Sequence, residues 1–320
     1  MIRAFLNIAM NGFMELIRQP IYLVIMVSSN VFMLFLASLY YAGAGEDTSM
    51  VQGGILATIF LSGIFTAVLG ASLSIGEEIE SGTALTVLSK PVGRVTFILA
   101  KFAALASSLV LQCFTGCLAA LLSSRMAFDV YGAPDYPAIV IYGAGIALAC
   151  IIGLCLNFFA MKPFVGPTVI SMLFCMTIAF IAANYVDRDW SHQSFGKDVD
   201  WRMLQAVLLL LFALCALAGF AIACSTRASL IPTLILCMVV FLSGLVSDYF
   251  LGTRAEEGVF WAKCLYAITP NWQLFWMSDA LANDKSIPLA YVLRCGQYAV
   301  GTLAISLGMA VLLFEDRELS

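Results

Sequence analysis

Residues 48–76 read TSMVQGGILATIFLSGIFTAVLGASLSIG, 29 residues without one charged side chain. A helix rises about 1.5 Å per residue, so roughly 20 apolar residues cross the ~30 Å hydrocarbon layer of a bilayer. Inside lipid the backbone must satisfy its own N–H and C=O groups, and a single run can do so only as a helix. The same count carried outward finds seven more charge-free runs of 20 residues or longer: 19–45, 102–124, 136–161, 163–186, 203–226, 228–247 and 295–314. The eight runs hold 193 of the 320 residues, and the next longest, 264–278, has only 15. The expected fold is therefore all-α: a polytopic helical membrane protein with about eight transmembrane helices and both termini on one side. Composition agrees, at 62% hydrophobic, 11% charged and a mean hydropathy of +0.97. Soluble domains run near 45–50% apolar and about 25% charged. A soluble enzyme and a disordered tail are excluded. So is a nucleic-acid partner, because the net charge is −4 and there is no basic tail.

The residues before the first run form an amphipathic helix over 1–19. Ile2, Phe5, Leu6, Ala9, Phe13, Leu16 and Ile17 fall on one side at helical spacing, and Arg3, Asn7, Asn11 and Arg18 on the other. Such a helix is expected to lie along the membrane interface, with Pro20 marking the turn into the first span. Ala42 and Ala44 resemble a signal-peptidase site. The preceding apolar stretch exceeds a signal peptide's usual 7–15 residues, and Glu15 and Arg18 flank it, so a retained span is expected. With the N-terminus in the cytoplasm, the basic residues divide eight inside and eight outside over the whole chain. Over the first three spans the division is five (Arg3, Arg18, Lys90, Arg94, Lys101) against one (Arg125). Early helices usually set topology, which places both termini in the cytoplasm.

Two polar segments stand out. One runs 77–97 on the cytoplasmic side. The other, 251–288 on the opposite side, is too polar to span yet carries Trp261, Tyr266, Trp272, Phe275 and Trp276. One or two short amphipathic helices broken at Pro270 are expected there, with the aromatics at headgroup level. Residues 187–202 form a third hydrophilic piece, and only Met161 to Phe164 join spans four and five, as in a tight helical hairpin. No extramembrane stretch exceeds about 40 residues, below the usual domain size, so residues 1–320 read as one transmembrane domain.

Chemistry-bearing motifs are sparse. His192 is the only histidine, in a hydrophilic loop. There is no HExxH, no CxxC, and no GxxxxGK[ST] phosphate loop. The chain is thus read as no enzyme, with no cofactor or metal, and any energy for driven work must come from a partner or an ion gradient. The ten cysteines lie mostly inside the spans and read as small apolar packers. The charge-free runs contain no ionisable group, which argues against a proton- or sodium-driven carrier. Asn30, Gln112 and Asn157 are the polar candidates inside the spans, Gln112 and Asn157 as interhelical glue. The apolar lining, rich in Phe, Met and Cys, favours an amphipathic or lipid-like substrate.

Residues 76–101 read GEEIESGTALTVLSKPVGRVTFILAK. Ser81-Gly82-Thr83 makes a break and cap, Leu85, Val87 and Leu88 an apolar patch, and Pro91 stops the short helix between them. Three carboxylates (Glu77, Glu78, Glu80) beside anionic lipid are more natural if they meet a protein. The run E-E-x-E-S-G-T, a leucine-rich stretch, S-x-P-V-x-R and a lysine at the next span resembles the type-2 ABC transporter permeases. The matching residues are Glu77, Glu78, Glu80, Ser81, Gly82, Thr83, Leu88, Ser89, Pro91, Val92, Arg94 and Lys101. Arg18-x-Pro20, the segment up to Ser225, and Tyr266-x-x-x-Pro270-Asn271 with Asp279 are similar too. The resemblance implies the transmembrane permease subunit of an ATP-binding-cassette exporter in a bacterial inner membrane. Its partners would be a cytoplasmic ABC ATPase and a second permease subunit, identical or not. It further implies that Glu77, Glu78, Glu80, Ser81, Gly82, Thr83, Leu88, Pro91 and Arg94 couple the pathway to that ATPase. Relatives commonly have six spans, and the extra pair here is 138–160 with 165–186. The competing reading from another class is a membrane anchor or regulatory subunit of an ATPase complex that moves nothing; a polar seam between the spans separates the two.

Overall fold

The structure, a computed structural model, describes residues 2–39, 47–76, 93–127 and 135–315. Among them, eight helices are long and apolar enough to cross a membrane, and no strand forms beyond one isolated bridge between Val186 and His192. Helix α1 (Ile2–Arg18) stops at Gln19, whose extended backbone hands over to α2 (Pro20–Ser38). Proline suits the first helical position because the N–H it lacks would have no partner there. Then come α3 (Asp47–Ala71), running on into a π-helical turn at Ser72–Gly76, and α4 (Arg94–Met126). Next are α5 (Tyr136–Ala160), α6 (Val165–Tyr185) and α7 (Arg202–Ser225). Helix α8 (Leu230–Ser247) continues through a π-helical stretch, Asp248–Gly252, to Glu256. The expected far-side helices are α9 (Phe260–Ile268) and α10 (Ser278–Ala282), before the closing α11 (Leu289–Glu315).

Helices α3, α4 and α7 form the centre. About 72% of the span is buried in α3 and α4, against 22% in α8. Apolar attraction cannot sort helices within lipid, so close backbone approach does it, through small residues. Gly63 of α3 leaves room for Leu214 of α7, and a β-carbon on Gly153 of α5 would collide with Thr168 of α6. The second contact closes the expected hairpin. Its turn is made by Met161 in the left-handed conformation (φ 51°).

Helix α1 packs into the bundle along one side. Gly12, Leu16 and Ile17 are buried, with Gly12 facing Ala104 of α4, while Ile2, Leu6 and Met10 stay exposed beside the polar face. This end of the bundle, which also carries Arg94 and the C-terminal end of α11, is called the near end below.

Two expectations change. The charge-free count cut α4 short: the helix has 33 residues and includes Arg94, Lys101 and Arg125. At about 50 Å it outreaches the hydrocarbon layer, so its ends can carry charge. Lys101 and Arg125 are each only 3% exposed, and each has a carboxylate partner: Glu15 of α1 at 3.8 Å for Lys101, and Asp135 for Arg125. Ionisable groups are therefore built into a spanning helix, near its ends. Asn157 is no interhelical glue either. Its Nδ2 donates to the Lys162 carbonyl at 2.7 Å and seals the hairpin turn.

Candidate functional site

Three structures define the site: the roots of the 77–92 segment, a polar layer inside the bundle, and a strap at the far end. Glu77, Glu78, Glu80, Ser81, Gly82, Thr83, Leu88 and Pro91 lie outside the described residues; Arg94 and both roots lie within them. The first root is the π-helical turn Ser72–Gly76, where Ser72 Oγ approaches Ser225 Oγ of α7 at 3.5 Å. Ser74 is buried beside it, its hydroxyl without a partner among the described residues. Single π turns within helices are frequent at functional positions. The second root opens α4. Arg94 Nη1 donates to the Glu315 carbonyl at 2.7 Å, Arg227 Nε to the Leu313 carbonyl at 2.9 Å, and Phe97 stacks on Phe314 at 5.6 Å. The last carbonyls of a helix lack intrahelical donors and sit at its negative pole, so two guanidinium groups suit them. The first root thus touches α7 and the second touches the end of α11. Helix α4 starts at Arg94, so the final four residues of the 77–97 segment are already helical.

In the bundle interior, Gln112 of α4 donates from Nε2 to Ser29 Oγ of α2 (3.0 Å) and Ser62 Oγ of α3 (3.3 Å). Asn30 of α2 donates to Thr115 of α4 at 3.4 Å and accepts from Tyr142 of α5 at 2.8 Å. Four helices thus share one polar layer. Gln112 acts as the expected glue, with a partner set that one-dimensional reading missed. Ser29 and Ser62 carried a faint signal, as hydroxyls inside otherwise apolar runs. Two grooves flank the exposed side of α3 along Ala57 and Leu61. One, about 560 Å³, runs between α2 and α3; the other, about 690 Å³, runs between α3 and α8.

The far end of the second groove is roofed by residues 269–277. Its expected break at Pro270 is present, since α9 ends at Ile268. The belt assignment needs correction at two positions, because Trp272 and Phe275 are each 1% exposed and belong to the core. Trp272 Nε1 donates to the Val240 carbonyl at 3.2 Å, and Gln273 Nε2 to the Leu245 carbonyl at 2.7 Å. Trp261 remains exposed, with Arg254 over its ring at 5.7 Å. Tyr266 donates to Asp248 at 2.9 Å and accepts from Asn271, whose own backbone N–H reaches Tyr298 at 2.9 Å. The Asp248 carboxylate pushes the Tyr266 phenol above its ordinary pKa, keeping it a donor. Asp279 lines the α3–α8 groove at the strap's end.

Beside the strap, Asp200 accepts from Gln52 at 3.0 Å and from both ends of the Arg202 fork, which also reaches Asp284. Burial works against charging Asp200. The hydrogen bonds from Arg202 and Gln52 outweigh it and hold the carboxyl below the ordinary range. A carboxyl lowered on folding stabilises above its unfolded pKa of about 3.9, and that stabilisation disappears as pH falls through the folded value. The cost of Asp200→Asn, read as a thermal midpoint in detergent, is expected to be equal at pH 7 and pH 5 and to shrink only at lower pH.

The family model described as "ABC-2 family transporter protein" matches residues 11–180, just over half of the chain. No curated protein and no solved structure gives a significant match. The matched region starts inside α1, crosses both roots and the 77–92 segment, and ends within α6, so it takes in most of the α5–α6 pair.

Proposed function

This chain belongs to the ABC-2 transporter family and is a multi-pass membrane permease of an ABC transporter, and we propose that it forms the pathway of an exporter driven by a separate cytoplasmic ATPase. In this reading the near end faces the cytoplasm of a bacterial inner membrane. Residues 77–92 dock on the ATPase through Glu77, Glu78 and Glu80 and the capped Ser81-Gly82-Thr83. ATP-driven closure of the motor displaces the segment, and the two roots carry the displacement into the bundle. Carboxylates at such an interface make charge-assisted hydrogen bonds, roughly twice as strong as neutral ones. A second permease subunit completes the pathway against the face of α2, α3 and α8. The exposure of Val24, Phe32, Leu61, Ile235, Leu242 and Val246 supports that face as one to be covered by protein or lipid.

The observation that carries the proposal is that the family match runs through a segment with two connections to the bundle, the π turn at Ser225 of α7 and Arg94 at the end of α11. The grooves beside α3 favour a pathway over bare anchoring. The test is the double variant Glu78→Ala/Glu80→Ala, reconstituted with the ABC ATPase that copurifies with the native chain. Membrane insertion and thermal midpoint are expected to be unchanged, while ATPase retention on the purified complex falls at least tenfold, the loss of roughly 1.4 kcal/mol or more of charge-assisted contact. Full retention with normal transport would remove the docking role.

A further inference from the structure

The groove between α2 and α3 carries information about what it accepts. Its walls are mostly apolar, from Phe32, Leu36, Leu61 and Phe65, and its floor is a row of hydroxyls: Ser28, Ser29, Thr58 and Ser62. Every one of the four hydroxyls donates back into its own helix: Ser28 to Ile25, Ser29 to Met26, Thr58 to Gly54 and Ser62 to Ile59. With their protons engaged in these bonds, the four hydroxyls present oxygen lone pairs to the groove. Behind the floor, the Nε2 of Gln112 uses up part of the acceptor capacity of Ser29 and Ser62, which fixes those two hydroxyls in place. Its Oε1 is buried and has no partner among the described residues, one more acceptor short of a donor. Ser29, Thr58 and Ser62 are each less than a tenth exposed, and no charged residue lines the groove.

We infer that this groove binds a neutral amphiphile with an alkyl or similarly apolar body and a hydrogen-bond donor, a hydroxyl or an amide N–H, placed against Thr58 and Ser28. An acceptor-only floor rewards a donor and gives nothing to an ether or ester oxygen. The absence of a lining cation leaves a buried carboxylate or phosphate without compensation, which is costly in a low-dielectric site. A volume of about 560 Å³ falls in the range of sites for drug-sized ligands, ~300–1,000 Å³. The inference deepens the pathway reading above and rests on it only for how the ligand leaves the groove.

The test is photolabelling of the full-length permease in nanodiscs, without nucleotide or ATPase. Three probes share one chain with a mid-chain diazirine: a long-chain primary alcohol, its methyl ether and the corresponding carboxylate. Mass spectrometry maps the adducts. The alcohol is expected to label the α2 and α3 segments that line the groove about fivefold more than the ether, the size of one net hydrogen bond, and the carboxylate to label least. Thr58→Val with Ser28→Ala removes the two groove acceptors that carry no Gln112 bond, and should bring the alcohol down to the ether's level. Equal labelling by alcohol and ether in the native chain overturns the inference. Labelling of the groove only in monomeric fractions overturns it too, because a second copy of the chain then fills the space. Transport reports separately: a permease that moves substrate yet labels alcohol and ether alike sinks this inference alone, and the expected ratio without ATP-dependent movement sinks the pathway reading alone.

Discussion

Asp135→Ala is expected to destabilise the protein by about 3–5 kcal/mol, the usual consequence of leaving one member of a buried ion pair without its partner. Arg125 is held on three sides. Its Nε donates to Asp135 Oδ2 at 2.8 Å, its Nη1 to the Ala183 carbonyl at 2.7 Å and its Nη2 to the Val186 carbonyl at 2.8 Å. One guanidinium thus joins the far end of α4 to the start of α5 and the end of α6. Asp135 has a second task, since its Oδ1 caps α5 by accepting from the Ala138 N–H at 3.0 Å. Alanine removes the countercharge and the cap together. Asp135→Asn restores an acceptor for the cap and should recover about 1 kcal/mol of the loss, with Arg125 still uncompensated. The measurements are thermal midpoints in detergent and hydrogen exchange across residues 136–186. A midpoint equal to the native one would show that the clasp contributes nothing. Because α5 and α6 contact the rest of the bundle chiefly through α1, α2 and α4, the exchange increase should concentrate in this pair and leave α7 and α11 protected.

The second large effect is expected from Gly244→Val. A β-carbon at position 244 would run into the Pro270 carbonyl and the Trp272 ring, and no rotamer relieves a clash with backbone. The strap over residues 269–277 must lift, withdrawing Trp272 and Phe275 from buried positions. Losing a large buried aromatic costs roughly 3–5 kcal/mol, so the strap should detach rather than distort. Expected signs are loss of amide protection at 270–277, a red-shifted tryptophan emission, and wider access from the far end to the groove between α3 and α8. Trp272→Phe is the milder companion. It deletes the bond to the Val240 carbonyl, about 1 kcal/mol, and leaves a small cavity where the larger ring packed, so it should cost more than that bond alone while the strap stays in place. Unchanged protection in Gly244→Val would mean that the strap does not sit against α8.

Much of this architecture could be read in one dimension because lipid imposes a length and a polarity on every crossing. The eight spans, the hairpin at Met161–Phe164, the break at Pro270 and the amphipathic start follow from apolar runs and proline positions. Gln112 stood out for the same reason, a polar side chain where hydrocarbon was expected. Its partners did not, because Ser29, Ser62 and Gln112 are far apart along the chain and meet only when three helices cross. Charge counting misjudged α4, since it treats every charge as solvated, whereas Lys101 and Arg125 are neutralised by groups distant in space or across a loop. Trp272 was misplaced because aromatic preference for the headgroup layer is an average, and a single glycine on a neighbouring helix gave this ring a slot.

The sequence by itself determined that the chain crosses a bilayer about eight times and carries one acidic segment between the second and third crossings. Local length, hydropathy and backbone stereochemistry suffice for that. Only the tertiary structure decided which helices lie at the centre, how the two roots of that segment are tied to α7 and α11, and that the groove beside α2 presents acceptors without donors. Those properties depend on which backbones can approach closely and where each hydroxyl proton is already engaged, and neither is written along the chain.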